Sequence, residues 1–440
     1  MDSIQVGLFF IVSYLLSRVF VTLKIPELVL YYLFEKKHVS IQKLTYILIL
    51  GSALLSSVIA NVITVLTLMP LVVLLQNEFD TSGKNKLKIN TLFLLSVIWG
   101  ANIGGIGMVT GTTTNGILVG LYEVFKVPLG MDITFFSWMV WGIPLVIVLS
   151  TVGWCILMLM FRPGRLVNTH DFATRLESYN ISRKMQKTGL TLAAIFIIVA
   201  SLLSLCMNLF KQHRLWVLIV TILWLGLYIY LILIREWQTG QNSTQKILLF
   251  KDTLHEIPKR GLFWISIGIL ITVLFWYLKL HKHAGIMLRD LFTQHSNVFS
   301  FYLLLAVIAT FSSELFSNSG VQVTMFLVLF PMLKHNPYLT WDGMLVITLC
   351  SSCAFMTPIS TPSNGLGYGS SLKISLKHMF CAGFLMNIAS AFTISIWVHY
   401  IVPRIIDYNA IMKIIIPIIR FSSKIVIPAK AGILSLLAQQ

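Results

Sequence analysis

The sequence predicts an all-α polytopic membrane protein, an inverted repeat with two re-entrant helical hairpins and two broken transmembrane helices. Its 440 residues are 57% hydrophobic and 11% charged, whereas soluble domains are about half apolar and a quarter charged. The charges gather in short stretches and leave uncharged runs at 189–210, 215–234 and 380–402, each close to the roughly 20 residues that cross a bilayer. Two further apolar segments are too long for one span, and four polar clusters recur in the same order in the two halves of the chain.

Residues 4–23 form the first span, with Arg18 inside it. They lack a basic leader and a small-residue cleavage site, so they read as a span and not as a cleavable signal. Residues 44–77 carry no charge over 34 positions and are flanked by Lys36, Lys37 and Lys43 before and by Lys84, Lys86 and Lys88 after. One straight helix of that length would reach about 50 Å, against a hydrocarbon core of about 30 Å. A hairpin that dips in and returns satisfies both length and charge; a long tilted helix or a pair of tight spans is the alternative. Residues 298–333 are the counterpart, 36 positions with one charge, Glu314, near the middle.

With both hairpins in place, the stretches 24–43, 77–88, 162–187, 235–260 and 370–379 face one side and carry 20 Lys and Arg, against 7 in the opposite loops. This is the imbalance of the positive-inside rule, and it describes a multi-pass protein of the cell inner membrane. The resulting organisation is an N-terminal span and interfacial segment (1–43), a first repeat (44–161), basic loops with two scaffold spans (162–260), a second repeat (261–402) and an unassigned tail (403–440). About nine spans are expected.

The polar clusters mark the chemistry. Near the middle of the first hairpin stands Ser56-Ser57-Val58-Ile59-Ala60-Asn61-Val62, and near the middle of the second Ser312-Ser313-Glu314-Leu315-Phe316-Ser317-Asn318-Ser319-Gly320. Ser and Asn compete with helical hydrogen bonding, so each cluster is a candidate hairpin tip. Each hairpin is followed by an interrupted apolar run, Thr110-Gly111-Thr112-Thr113-Thr114-Asn115-Gly116 and Pro358-Ile359-Ser360-Thr361-Pro362-Ser363-Asn364-Gly365. Asn61 and Asn318 are 257 residues apart, and Asn115 and Asn364 in the broken-helix loops are 249 apart. Tip and break thus recur together. Two such copies entering from opposite faces bring broken helices together around a substrate site, where helix N-termini face anions and freed carbonyls coordinate sodium. Glu314, an acid at membrane depth, is a functional candidate, as cation ligand or protonatable group; it equally fits a cap on the tip or a local pair.

Other chemistries are poorly supported. The net charge of +17 has no soluble basic domain to carry nucleic acid. No phosphate-cradling loop, nucleophile elbow or intramembrane pair of metal ligands is present, which argues against an enzyme. Cys155, Cys206, Cys350, Cys353 and Cys381 lie in or beside apolar runs and read as core residues. The Cys350–Cys353 spacing lacks the second pair that zinc needs. No aspartate falls inside an apolar core, because Asp342 closes the hydrophilic stretch 333–342.

At these clusters the chain resembles the divalent anion:sodium symporter family, within the ion transporter superfamily that also holds arsenite and sodium/proton exchangers. The resemblance runs from about residue 44 to 402. It rests on Ser317-Asn318-Ser319, on Ala101-Asn102-Ile103-Gly104-Gly105-Ile106-Gly107 running into Gly111-Thr112-Thr113-Thr114-Asn115, and above all on Cys353-Ala354-Phe355-Met356-Thr357-Pro358-Ile359-Ser360-Thr361-Pro362-Ser363-Asn364. The resemblance implies one sodium among Ser56, Asn61 and Gly111 and a second among Ser313, Asn318 and Ser360. It implies a di- or tricarboxylate or sulfate contacting Asn61, Thr112, Ser317, Asn318, Ser319 and Thr361. It further implies a homodimer in the lipid bilayer, an elevator-type motion, sodium as coupling ion and no other metal or cofactor. The first tip reads Ala60-Asn61-Val62 where the family has Ser-Asn-Thr, and a single span precedes the first hairpin where the family has several. An exchanger of the same superfamily and a non-transporting paralogue therefore stay open as alternatives.

Overall fold

The computed structural model describes residues 2–25, 40–78, 84–124, 133–163, 183–209, 211–238, 244–249, scattered positions between 266 and 286, 297–333, 336–370 and 374–406. The basic loop at 164–182, most of 250–296 and the tail beyond 406 lie outside the described residues. The helices are α1 (Asp2–Thr22), α2 (Ile41–Val58), α3 (Asn61–Glu78), α4 (Lys84–Gly104), α5 (Thr113–Val124), α6 (Phe135–Phe161), α7 (Arg183–Leu209) and α8 (Arg214–Leu233). They continue with α9 (Val298–Ser312), α10 (Asn318–Leu333), α11 (Pro337–Ser351), α12 (Pro362–Ser370) and α13 (Leu376–Ile396), which passes through a π-turn (Trp397–Ile401) into α14 (Val402–Ile406). A small antiparallel ribbon, β1 (Glu236–Gln238) on β2 (Thr244–Lys246), follows α8.

Six helices among the described residues, α2, α4, α6, α7, α8 and α13, are long and apolar enough to cross a bilayer. The protein is an all-α, multi-pass membrane protein. Helix starts follow local chemistry. Ser40, Asn297, Asn336 and Ser375 each accept a backbone N–H from the first turn of the helix they precede, and Thr134 forms a capping box with Ser137; such caps satisfy donors the helix leaves orphaned.

The helices stop where the polar clusters stand. Between α2 and α3 lie Ile59 and Ala60, between α9 and α10 residues 313–317, between α4 and α5 residues 105–112, and between α11 and α12 residues 352–361. At 18 residues, α2 reaches about 27 Å, most of the thickness of a hydrocarbon core.

The centre of the molecule is α4, whose residues from Asn90 to Gly104 are all buried. A Cβ on Gly100 would strike Ser52 and the Ile49 carbonyl, and one on Gly104 the Ala53 carbonyl, so glycines let α2 lie directly on α4. Such small-residue contacts drive helix association in membranes, where lipid is as apolar as leucine. Polar side chains point inward for the same reason: Ser52, Asn102, Asn115, Gln322, Asn364 and Asn387 are buried, while Leu215, Trp216, Leu223 and Leu227 of α8 are exposed.

To one side, α1 packs with α6, α7 and α8. Phe9 meets Phe135 and Phe196 edge-on at 5.5 and 6.1 Å, and Gln5 donates to Thr221 Oγ1 at 3.0 Å. Two expectations are corrected. Cys155 and Cys381 are exposed, and Cys350 and Cys353 are buried; an apolar run has a lipid-facing side, so hydrophobicity alone does not place a thiol in the core. Asp342 is not in a loop, because α11 starts at Pro337, and it accepts a hydrogen bond from Tyr302 Oη at 2.9 Å.

Candidate functional site

At the first tip the chain leaves α2 through an extended Ile59 (φ −121°, ψ 154°) and re-enters helix at Asn61. One terminal atom of the Asn61 amide lies 2.9 Å from Ser56 Oγ and 3.3 Å from the carbonyl oxygens of Gly111 and Ala101. With nitrogen there, the amide donates to all three. With oxygen there, Ser56 is its hydrogen-bond donor at 2.9 Å, and four neutral oxygens stand together, the set from which unwound backbone and side chains coordinate sodium. The approach needs glycine: a Cβ on Gly105 would lie 2.6 Å from Asn61 Oδ1, and one on Gly111 2.5 Å from the Gly105 carbonyl. Ser56, Asn61 and Gly111 are therefore brought together. Ala101 was given no site role in the sequence; its carbonyl sits in the last turn of α4 and also accepts the Gly105 N–H at 3.2 Å.

The second tip is built differently. Ser313 Oγ donates to the Ala309 carbonyl at 2.8 Å and Ser360 Oγ to the Thr357 carbonyl at 2.8 Å, and no hydrogen bond in the described residues joins Ser313, Asn318 and Ser360 to one another. Asn318 Oδ1 is buried and has no hydrogen-bond partner. Ser317 is exposed and Ser319 half-buried.

Glu314 occupies the junction between this tip and the second break. Its carboxylate accepts the backbone N–H groups of Phe355, Met356 and Thr357 at 2.6, 2.9 and 3.0 Å, the Thr357 hydroxyl at 3.1 Å and Asn387 Nδ2 at 2.8 Å. Three successive N–H groups aimed at one anion form a concave nest, and here the chain supplies its own anion. The residue 257 positions earlier is Ser57, which bonds back to Ala53 at 2.9 Å. Ile106 and Gly107, 249 before Phe355 and Met356, satisfy their N–H groups on Ile103 and Gly104. Of the roles open to Glu314, the geometry displays a structural one, hydrogen bonding to the backbone of the second break and to Asn387.

The two breaks share one construction. Asn115 Nδ2 donates to the carbonyls of Gly105 and Met108, both at 2.9 Å. Asn364 Nδ2 donates to those of Ala354 and Thr357, both at 3.0 Å, and to Ser360 Oγ at 2.8 Å. The backbone acceptors lie ten and seven residues back in each case. Equivalent carbonyls also accept an indole N–H: Ile106 from Trp138 at 2.8 Å and Phe355 from Trp99 at 3.3 Å. Thr361 Oγ1 accepts the Asn364 N–H at 3.1 Å and pairs with Ser363 Oγ at 2.8 Å, which makes it the bracket of α12. Thr112 is half-buried in the matching place.

Side chains also clasp one break to the other. Asn102 Nδ2 donates to the Ala354 carbonyl at 3.0 Å and to Asn364 Oδ1 at 2.8 Å, and Asn102 Oδ1 accepts from Ser363 Oγ at 2.7 Å. Gln322, one turn past Asn318, donates to the Thr114 carbonyl at 2.8 Å and to Thr348 Oγ1 at 2.9 Å. Sequence reasoning quoted Asn102 only as part of the run that carries the resemblance and passed over Gln322, although a buried amide in an apolar run is itself a signal.

The family model described as sodium:sulfate symporter transmembrane region matches residues 3–403. A sodium-dependent dicarboxylate transporter, SdcS, of Staphylococcus saprophyticus is 24% identical over 377 residues, which cover 82% of this chain and 69% of that protein. SdcS of Staphylococcus aureus strain USA300 is 25% identical over 346 residues, covering 76% of this chain and 63% of its own length. The match thus spans about two thirds of these relatives. They are transporters by name, and the four interrupted helices described above all fall inside the matched region. With a match running almost from the first residue through α13, the chain belongs to the sodium:sulfate symporter transmembrane region family.

Proposed function

We propose that this protein is a secondary active transporter that carries a small divalent or trivalent anion, a di- or tricarboxylate or sulfate, together with sodium across the inner membrane. The observation that carries the reading is the set of oxygens around Asn61: Ser56 Oγ and the Gly111 and Ala101 carbonyls lie within 3.3 Å of its amide terminus. Such a neutral set suits a monovalent hard cation. The orphaned Asn318 Oδ1 is the corresponding acceptor for a second ion, with Ser313 and Ser360 beside the same tip and break.

The anion would sit between the tips, on Asn61, Asn318, Ser317, Ser319 and Thr112, with Thr361 bracing α12. The helices α3, α10, α5 and α12 begin at Asn61, Asn318, Thr113 and Pro362, and helix N-termini favour anions. Because Ala60 and Val62 bring no hydroxyl, the second tip would carry most of the side-chain contacts. The clasped breaks would travel as one body in an elevator-type motion against a dimeric scaffold. The names of the relatives favour a dicarboxylate within this class.

Uptake of radiolabelled succinate, citrate and sulfate into proteoliposomes, with and without an inward sodium gradient, tests the reading. Sodium-driven uptake that Asn318→Ala loses is the expected result. Folded protein that takes up none of the three under a sodium gradient would overturn it.

A further inference from the structure

We infer that Asn102 is a positioning residue that couples the two cation sites, so that an ion held at the first tip changes affinity at the second. The inference rests on the sodium reading above and extends it to a residue outside both ligand sets. The peptide bond between Ala101 and Asn102 belongs to both halves of the molecule. Its carbonyl, that of Ala101, is one of the oxygens facing the Asn61 amide at 3.3 Å. The side chain of the very next residue spends both heteroatoms on the second break, on Ala354, Asn364 and Ser363 at 2.7 to 3.0 Å.

From there the chain of bonds runs on without a gap. Asn364, which receives Asn102 through Oδ1, donates through Nδ2 to Ser360 Oγ and to the Thr357 carbonyl. Thr357 in turn donates its N–H and its hydroxyl to Glu314 at the second tip. A tightening of carbonyls around an ion at the first tip would pull on the Ala101–Asn102 peptide, and the clasp made by the fully buried Asn102 side chain carries that pull to the second break. The mirror position, 249 residues on, is Ser351, which bonds back to Thr348 within its own helix at 3.0 Å. The mirror position therefore supplies no equivalent lever among the described residues. Gln322 and Ser352 of the second half reach Thr114, not a carbonyl at the Asn61 amide, and the coupling from that carbonyl is assigned to Asn102.

Purified full-length protein in nanodiscs, titrated with sodium chloride against choline chloride and read by its melting temperature, provides the test, because ligands that bind the native state raise it. The wild type is expected to respond with a Hill coefficient above 1. In Asn102→Ala sodium still stabilises, but the coefficient falls to about 1 and the midpoint rises by about 2- to 12-fold, the square root of the usual coupling factor of about 5 to 150. A purely structural role would lower the melting temperature at every sodium concentration and leave the Hill coefficient unchanged, and that result overturns the proposal. Ser363→Ala removes one arm of the clasp and keeps the test available if Asn102→Ala does not fold; its coefficient should fall toward 1, and a wild-type value counts against the inference. Ser351→Ala should match the wild type. Sodium binding to the wild type with a coefficient of 1 overturns the coupling alone, whereas no sodium response at all overturns the sodium reading and the coupling with it.

Discussion

Thr114 Oγ1 and Ser352 Oγ stand 2.7 Å apart across 238 residues of sequence, joining the start of α5 to the residue that ends α11. Both are buried, and Ser352 Oγ also reaches the Thr348 carbonyl at 3.4 Å. Ser352→Ala takes this partner from the Thr114 hydroxyl and should cost about 1–2 kcal/mol, whereas Thr114→Val leaves Ser352 its longer bond to Thr348 and should cost less. The double variant should cost less than the sum, since no hydroxyl is then stranded. Reversible SDS unfolding of the four proteins measures this; strict additivity would show that the pair is not a working contact.

Glu314 gathers five donors, three of them backbone N–H groups of one loop. Glu314→Ala strands these donors in a buried place and should destabilise the protein by about 3 kcal/mol. Glu314→Gln should cost less, because its amide oxygen keeps the Oε1 partners Phe355, Met356 and Asn387 while its NH2 opposes the Thr357 N–H. A ranking of Ala worse than Gln worse than wild type in the same unfolding assay is expected. Two variants indistinguishable from wild type would remove Glu314 from its place as the pin of the second break.

Three glycines make a graded set. A methyl on Gly111 meets the Gly105 carbonyl, which is backbone; one on Gly105 meets the end of the Asn61 side chain; one on Gly120 meets nothing within 4 Å. Gly111→Ala should therefore abolish sodium-driven uptake through backbone displacement. Gly105→Ala should raise the sodium concentration needed by pushing Asn61 aside. Gly120→Ala, inside α5, should stabilise by about 0.5–1 kcal/mol. Equal effects at 111 and 120 would contradict the packing at the first tip.

The cysteines report helix orientation. Cys155 and Cys381 face outward and Cys350 and Cys353 inward. A membrane-permeant maleimide should modify the first two in native protein and the second two only after denaturation, as mass spectrometry of the peptides would reveal. Modification of Cys350 without unfolding would mean that α11 opens toward lipid.

Much of this was legible in the residues. Each helix interruption falls in a cluster of Ser, Thr, Asn or Gly flanked by apolar runs, because those side chains offer the backbone partners other than its own carbonyls. The recurrence of Asn115 and Asn364, 249 residues apart, marked the two breaks as copies, and the two amides make matching backbone bonds. Ser56, Asn61 and Gly111 were grouped by family resemblance, and the fold brings them together. What stayed hidden depends on approach between distant segments: Asn102 and Gln322 look like isolated amides until Ala354 and Thr114 come alongside. Glu314 could be read as an acid at depth, but its partners lie 41 to 73 residues away. The facing of Cys155 and Cys381 and the helical setting of Asp342 turn on helix phase and on where α11 begins, which an apolar stretch alone leaves open.

The central helix α4 is at once the most buried and the least apolar of the six candidate spans. A span that meets lipid must be greasy, but one surrounded by protein need not be, and α4 spends that freedom on Asn90, Ser96 and Asn102. The freedom has a cost in time. When α4 leaves the ribosome, Phe355, Ser363 and Asn364, which its Trp99 and Asn102 later bond, have not been synthesised, and about 250 residues must follow before they exist. Until then an amide and an indole that end in the interior must be sheltered by lipid headgroups, by α2 or by the insertion machinery. Assembly of this membrane protein is therefore ordered by its middle: the helix at its heart enters early and is completed last.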